Sequence, residues 1–142
     1  MQATLSGTAD GFCEWRRARG FKQAFHFGMR DGSVFALAGT WDRWQSAEGT
    51  KIESCAILTT QANALMAEVH DRMPVILKED EYARWLTPAP LCPGLSQRLF
   101  VPFDADRMRR FPVSPAVNDV RNDTAECLRE IPEFISRQVS LF

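Results

Sequence analysis

The sequence predicts a single α+β domain, made mainly of antiparallel sheet in a barrel-like arrangement with short helices. Three observations support this fold class. Alternating apolar residues mark strands through the first half of the chain, glycine-containing polar turns separate them, and the helical stripes are short. The 142 residues, 45% of them hydrophobic, suit one domain with a real core. We therefore treat residues 1–142 as one domain.

The first half of the chain reads as successive strands. After a weak, small-residue decapeptide, Phe12–Arg16 gives a short strand pattern, and Phe21–Met29 follows after a polar turn. The pair Asp31-Gly32 predicts a tight hairpin turn, because these residues accept the positive φ angles of a primed turn. The chain is then expected to return as a strand over Val34–Trp41, and Ile52–Thr60 is the next predicted strand.

The second half mixes helix and strand. A helix is predicted over Gln61–Val69 from its apolar stripe, a buried strand over Pro74–Leu77, and a helix over Lys78–Leu86. The last of these ends before Pro88, since the residue before a proline avoids helical angles. The remaining predicted elements are an irregular segment over Thr87–Leu95, helical turns over Asp104–Arg110, a strand over Phe111–Ser114 and a short helix over Thr124–Ile131.

Composition excludes several function classes. The formal net charge is -1 and the pI is about 6.1, which argues against a bulk polyanion binder. No apolar run is long enough for a membrane span, and the N-terminus lacks a signal-peptide pattern, so we expect a cytoplasmic protein without membrane contact. Four cysteines without a CxxC pair, beside two histidines, predict reduced thiols and no metal or other cofactor.

The basic residues are mostly arginine, at 14 against 3 lysines. Arginine suits bidentate phosphate contacts and stacking on flat groups. Two dense runs occur, Arg16-Arg17-Arg19 and Arg107-Arg109-Arg110. They are consistent with a phosphate-binding surface, and a merely solvated face of the protein is the plainer interpretation.

An acid in an apolar strand is the first candidate for chemistry. Glu14 lies between Cys13 and Trp15, so its carboxylate would be desolvated, which suits a general acid or base. The alternative is a glutamate at a strand edge that pairs with an arginine. Trp15, next to the candidate acid, is a side chain that could stack on a base.

Two further clusters carry polar side chains. His70-Asp71-Arg72 lies at a predicted helix-to-strand junction, where histidine could transfer protons and arginine could hold a phosphate or carboxylate. A structural histidine beside an aspartate is the plainer interpretation. The proline-punctuated loop 112–119 could present Ser114 and Asn118, and is a weak signal alone.

Together these clusters resemble, in order and wording, the SRAP family of SOS-response-associated peptidases, or abasic-site-processing proteins. The resemblance runs from about Ala9 to about Leu128. Six blocks carry it: ADGFCEW (Ala9–Trp15), KQAFHF (Lys22–Phe27), ALAGTWDRW (Ala36–Trp44), AILTTQAN (Ala56–Asn63), VHDRMPVIL (Val69–Leu77) and FPVSPAVNDVRND (Phe111–Asp123).

The resemblance implies a protein that binds single-stranded DNA and covalently traps ring-opened abasic sites. In the family, an N-terminal cysteine forms a Schiff base and then a thiazolidine with the sugar aldehyde, after autocatalytic removal of the residues before it. The matching positions imply catalytic roles for Glu14 and His70 in proton transfer, and a phosphate contact for Arg72. Thr59 matches a threonine near the site, and Trp15 would face the DNA.

This chain departs from the family at its start. It opens Met1-Gln2-Ala3 instead of Met-Cys-Gly-Arg and lacks the upstream half, so we expect a truncated form without the nucleophile, whose activity as an enzyme is open. Cys13 lacks a free α-amine and would point away from Glu14. The alternative function is a degenerate, non-catalytic binding or structural module. In either case we expect a homodimer or a complementary N-terminal chain as partner, and association with the nucleoid when bound to DNA.

Overall fold

Nine strands and three short helices build the part of the domain that the structure describes. The computed structural model describes residues 3–18, 20–87 and 93–133. The strands are β1 (Ala3–Ala9), β2 (Gly11–Ala18), β3 (Phe21–Met29), β4 (Phe35–Gln45), β5 (Lys51–Ile57), β6 (Thr59–Gln61), β7 (Arg72–Pro74), β8 (Ile76–Leu77) and β9 (Met108–Pro112). The helices are α1 (Ala64–Ala67), α2 (Tyr82–Leu86) and α3 (Pro93–Leu99), with 3₁₀ turns at Glu79–Glu81, Ala105–Arg107, Pro115–Asn118 and Ala125–Leu128.

All pairs among the described strands are antiparallel, and they fall into three sheets. One sheet has the order β1-β4-β5 with β8 also on β4, the second has the order β2-β3-β9, and β6 pairs with β7 in the third. The α+β class is therefore confirmed. The barrel-like arrangement is wrong, because the described strands form separate sheets that do not close on one another.

The predicted hairpin at Asp31-Gly32 is also wrong. The strands on either side of it, β3 and β4, belong to different sheets. Gly32 has a φ of +73°, but Asp31 does not take a positive φ, so no primed turn forms. Instead, Asp31 accepts hydrogen bonds from the Ser33 backbone N–H and hydroxyl, at 2.9 and 2.6 Å, and the chain crosses between sheets.

Several predicted elements are shorter or of another type. The helix over 61–69 is a single turn, α1, and the expected strand over 52–60 is split into β5 and β6. The decapeptide dismissed as weak contributes β1, whose Leu5 carbonyl accepts a 2.7 Å bond from the Trp85 indole. Of the irregular segment predicted over 87–95, residues 88–92 lie outside the described residues.

Among the described residues two apolar clusters form the core, and one short segment contributes side chains to both. Met73 and Ile76 join the cluster that contains Phe25 and Phe27 of β3. Val75 and its neighbour Leu77 belong to the other cluster, beneath α2. The segment from Met73 to Leu77 therefore packs into both clusters.

The arginine runs are not simply solvated. Arg16 and Arg110 place their guanidinium carbons 4.9 and 5.2 Å from the centroid of the buried Phe25 ring. Arg107 and Arg109 lie in the same way over Phe103 and Phe111. Stacking on aromatic rings, which arginine does better than lysine, explains part of the arginine excess.

None of the helices in the described ranges is long and apolar enough to cross a membrane.

The pairing of β2 with β3 requires glycine at position 11. A Cβ on Gly11 would lie 2.0 Å from His26 Nε2 and 2.7 Å from the Phe27 carbonyl oxygen. The His26 side chain occupies this space because it packs on Phe111, with ring centroids 5.1 Å apart. Burial of the imidazole lowers the pKa of His26. Movement of the imidazole alone does not relieve the clash, since the second contact is backbone.

We therefore expect Gly11→Ala to lower the free energy of unfolding by about 1–3 kcal/mol, the usual cost of overpacking. Gly94→Ala is the control, because a Cβ there meets nothing within 4 Å and the residue lies in a helix. Urea denaturation of both variants gives the comparison. Equal midpoints for Gly11→Ala and the wild type would contradict the close packing.

Candidate active site

Strand β2 carries the first half of the site. Glu14 lies opposite Phe25 and Arg17 opposite Lys22. Successive residues of a strand point to opposite faces of the sheet, so Glu14 and Arg17, three positions apart, lie on different faces. Among the described strands β2 has one neighbour, β3, which leaves its other edge uncovered. Side chains from both faces can therefore meet at this edge.

The turn after α1 carries the second half. Asn63 caps the helix, because its side-chain oxygen accepts a 2.9 Å bond from the Met66 N–H. The N–H groups of Val69 and His70 both donate to the Met66 carbonyl at 2.9 Å, and this ends the helix. His70 is thus held by backbone bonds at a defined place, with 44% of its side chain exposed.

A pocket of about 430 Å³ lies where the two halves meet. Its lining residues are Glu14, Trp15, Arg17, Lys22, Val69, His70 and Asp71. The structure thus brings together three of the predicted site residues, Glu14, Trp15 and His70, although they come from distant segments. It does not bring Arg72 and Thr59 into this lining.

Three polar groups lie around Nδ1 of His70. The Arg72 backbone N–H donates to His70 Nδ1 at 3.0 Å. The Asp71 carboxylate lies 3.2 Å from the same nitrogen, but it is 90% exposed and free to turn away, whereas the backbone donor is fixed. The Arg72 carbonyl oxygen also lies near Nδ1, at 3.3 Å. With Nδ1 as the acceptor of the shortest of these three contacts, the proton of the neutral ring is on Nε2, where it can be donated.

Glu14 is half-buried, and one of its two carboxylate oxygens is available to a bound molecule. Its Oε1 accepts a 2.9 Å bond from the Trp15 backbone N–H. Within the described ranges no arginine forms an ion pair with it, so the alternative of a strand-edge Glu–Arg pair does not describe this residue. A carboxylate in this position can accept a proton from a molecule bound in the pocket.

Arg72 and Thr59 form a unit of their own beside the pocket. The Arg72 guanidinium donates to the Thr59 carbonyl at 2.7 Å and to its hydroxyl at 2.8 and 3.2 Å. These bonds follow from the pairing of β6 with β7. They hold the guanidinium in place at an exposed position. One of its nitrogens, Nη1, makes none of these bonds and can donate to a bound molecule.

Trp15 is fixed by residues that the sequence marked weakly or not at all. Its indole Nε1–H donates to Asn118 Oδ1 at 2.7 Å, and the Lys22 ammonium lies 4.7 Å from its ring centroid. Asn118 belongs to the proline-punctuated loop. The sequence signal that could have identified Lys22 is its position just after the β2–β3 turn. Antiparallel pairing places such a residue beside the last residues of β2.

Ser114, the other candidate in that loop, is not presented. It is 3% exposed, and its hydroxyl serves as the N-cap of the turn by accepting from the Ala116 N–H at 3.2 Å. Its role is to hold the loop that carries Asn118.

Cys13 lies on the other face of β2 from Glu14, opposite His26. Burial, with a smaller contribution from nearby Cys127, raises the pKa of the Cys13 thiol. A thiol that holds its proton is a poor nucleophile. Among the described residues no group of three or more His, Cys, Asp or Glu side chains could hold a metal ion.

A larger cavity, of about 530 Å³, lies between Lys78–Glu81 and Gln97–Arg107. Its buried acid, Glu81, pairs with Arg98 at 2.5 Å. The sequence pointed to no residue of this cavity as a catalytic group.

Comparison with known proteins supports the sequence resemblance. Residues 8–120 match the family model of the SOS response associated peptidase (SRAP). This chain is a member of the SRAP family. The SRAP match includes both β2 and the turn with His70, so the whole pocket lies in the family region.

Named SRAP relatives cover most of this chain. The Bacillus subtilis abasic site processing protein YoaM is 39% identical over 121 residues, which are 84% of this chain and 53% of YoaM. The abasic site processing protein HMCES of Rattus norvegicus is 30% identical over 147 residues, with 84% of this chain and 41% of HMCES covered. The chain thus spans about half the length of the curated relatives it matches.

A solved structure shares this fold. A crystal structure of a Bacteroides thetaiotaomicron protein superposes with a TM-score of 0.79 at 27% identity, over 92% of this chain and 57% of that one.

The thiols should differ in reactivity at neutral pH. Each unit by which a thiol pKa rises removes about tenfold of its thiolate at fixed pH. We expect iodoacetamide at pH 7.5 to alkylate the exposed Cys55 well before Cys13. The rate for Cys13 should increase as a higher pH removes the proton from its thiol. Peptide mass spectrometry measures both rates; faster labelling of Cys13 than of Cys55 would contradict the burial of its thiol.

Proposed function

We propose that this chain binds single-stranded DNA at an abasic site, with the damaged sugar in the pocket between Glu14 and His70. The observation that carries the proposal is the meeting of these two side chains in one pocket from distant segments. The names of its relatives, which are abasic site processing proteins, support the choice of substrate.

The pocket offers a proton acceptor and a proton donor for a ring-opened abasic sugar. The Glu14 carboxylate would take a proton from the carbon next to the aldehyde. The Nε2–H of His70 would donate to the aldehyde oxygen as the enol forms. The enol O–H then returns its proton to Nε2 of His70 as the carbonyl is restored. The bond from the sugar to its 3′ phosphate oxygen breaks, the phosphate leaves with the electron pair, and Glu14 holds the proton taken from carbon. This is β-elimination by general acid–base catalysis.

We assign the family's covalent step to no residue of the pocket. The resemblance implies an N-terminal cysteine for the thiazolidine and for peptidase-type maturation, and no cysteine is among the residues that line the pocket. Cys13 faces away from Glu14, and its amine is part of a peptide bond. On this proposal the 142-residue chain contributes the proton-transfer half of the site.

The chain should therefore cleave abasic single-stranded DNA slowly and form no lasting adduct. We expect Glu14→Gln and His70→Ala each to lower the cleavage rate by roughly a hundredfold, within the range typical for loss of one general acid or base. Glu48→Gln, in an exposed loop, is the matched control. Denaturing gels with a uracil-derived abasic oligonucleotide measure both products.

An adduct that survives denaturation without reductant would contradict the absence of a thiazolidine. Cleavage by Glu14→Gln at the wild-type rate would contradict the assignment of Glu14.

A second candidate function is that of a binding module completed by a partner chain. The β4–β5 hairpin favours it: Trp44 and Ile52 are opposite each other and 57% and 51% exposed. Trp41 and Ile57, on the other face, are 39% and 40% exposed. Among the described strands β5 pairs with β4 alone, so its other edge is uncovered. Exposed apolar side chains beside an open edge are typical of an interaction surface.

We expect this chain to be a dimer or larger species in solution. Trp44→Lys with Ile52→Lys should shift it toward the 16.1 kDa monomer. Val120→Lys is the control, since Val120 is 97% exposed and lies outside the hairpin. Light scattering that shows a wild-type monomer with a cooperative melt would contradict the expectation.

A further inference from the structure

Arg17 and Lys22 form a cationic pair at the end of the β2–β3 hairpin. They lie directly opposite each other in the antiparallel register, so their side chains leave the same face of the sheet. Both are exposed, and both line the pocket that contains Glu14 and His70. Like charges placed opposite each other on a sheet repel, so the arrangement costs stability unless an anion lies between them.

Neither cation is neutralised within the described part of the chain. Many other exposed arginines have a carboxylate partner, such as Arg121 with Asp119 at 2.7 Å. Arg17 has no hydrogen bond or ion pair to another described residue, and the contact of Lys22 is with the Trp15 ring. These two charges are therefore available to an external anion.

Lys22 also links the pair to an aromatic ring. Its ammonium lies 4.7 Å from the centroid of Trp15, whose indole edge is fixed by Asn118. Proteins that bind single-stranded nucleic acid combine cations along the backbone with aromatic side chains on which bases stack. Both features are present here at one place.

The rest of the pocket directs a phosphate toward this pair. Glu14 and Asp71 are negatively charged and repel it, and Arg72 does not line the pocket and is bonded to Thr59. Arginine and lysine both bind phosphate, arginine with a fork and lysine as a point charge.

We propose that Arg17 and Lys22 bind the backbone phosphate of the nucleotide next to the one in the pocket, with Trp15 beside its base. Arg72 would then contact the strand at a separate point. This inference rests on the proposed binding of single-stranded DNA, but it does not depend on the lesion or on proton transfer.

The test compares the double variant Arg17→Gln/Lys22→Gln with the double variant Lys51→Gln/Arg84→Gln. The control removes the same charge from two exposed positions outside the pocket. Binding of undamaged oligo-dT and of the same oligonucleotide with one abasic site is measured by fluorescence anisotropy between 50 and 200 mM salt, about the range in which phosphate contacts are resolved.

For single strands, log affinity falls with log salt by about 0.7 per phosphate contact. If the pair makes up to two contacts, the pocket variant loses about 0.7–1.4 from this slope on both oligonucleotides, and the control keeps the wild-type slope. Charge-conserving Arg17→Lys/Lys22→Arg should also keep it.

The outcomes separate the two proposals. An unchanged slope in the pocket variant, or equal losses in both variants, overturns the phosphate site and leaves the proposed function standing. A selective loss on oligo-dT, in a chain that neither prefers nor cleaves abasic DNA, supports the phosphate site and overturns the proposed function. If the wild type binds neither oligonucleotide, both are wrong.

Discussion

The pocket depends on Arg110, which joins the sheet that carries Glu14 to the helix that leads to His70. Its guanidinium lies over Phe25, the residue opposite Glu14, and donates to the Leu65 carbonyl at 3.2 Å and to Glu68 at 2.5 Å. The Arg110 side chain is 13% exposed, so these bonds compensate a charge that is largely removed from water. Ring stacking and helix anchoring thus fix the two halves of the site against each other.

The same charge chemistry gives each arginine around the site a different role. Arg110 is structural, because its N–H groups donate to Leu65 and Glu68 and its guanidinium plane lies over the Phe25 ring. Arg72 donates hydrogen bonds to Thr59 through part of its guanidinium, which leaves Nη1 available. Arg17 has no partner among the described residues and lines the pocket. Residue type alone therefore does not decide which cation meets DNA; what matters is whether the fold has already used its donors.

The alternation of apolar and polar residues predicted correctly those strands whose position depends on neighbouring residues alone. Strand β3 begins and ends at the expected Phe21 and Met29, because period-two alternation is strong there. The turn at Asp31-Gly32 was predicted as a hairpin, yet sheet partners are chosen by long-range packing that no turn signal contains. The pairing of Glu14 with His70 came from the family resemblance. Lys22 and Asn118 were missed as partners of Trp15, since only the register and the loop path bring them there.

The central claim is that one pocket, between Glu14 and His70, receives the damaged sugar. A crystal structure of this chain with a single-stranded oligonucleotide that carries a tetrahydrofuran abasic analogue tests it most directly. We predict the analogue between these two side chains, within hydrogen-bond reach of both. An analogue bound elsewhere, for example in the cavity beside Glu81, with the Glu14 pocket empty, would contradict the account.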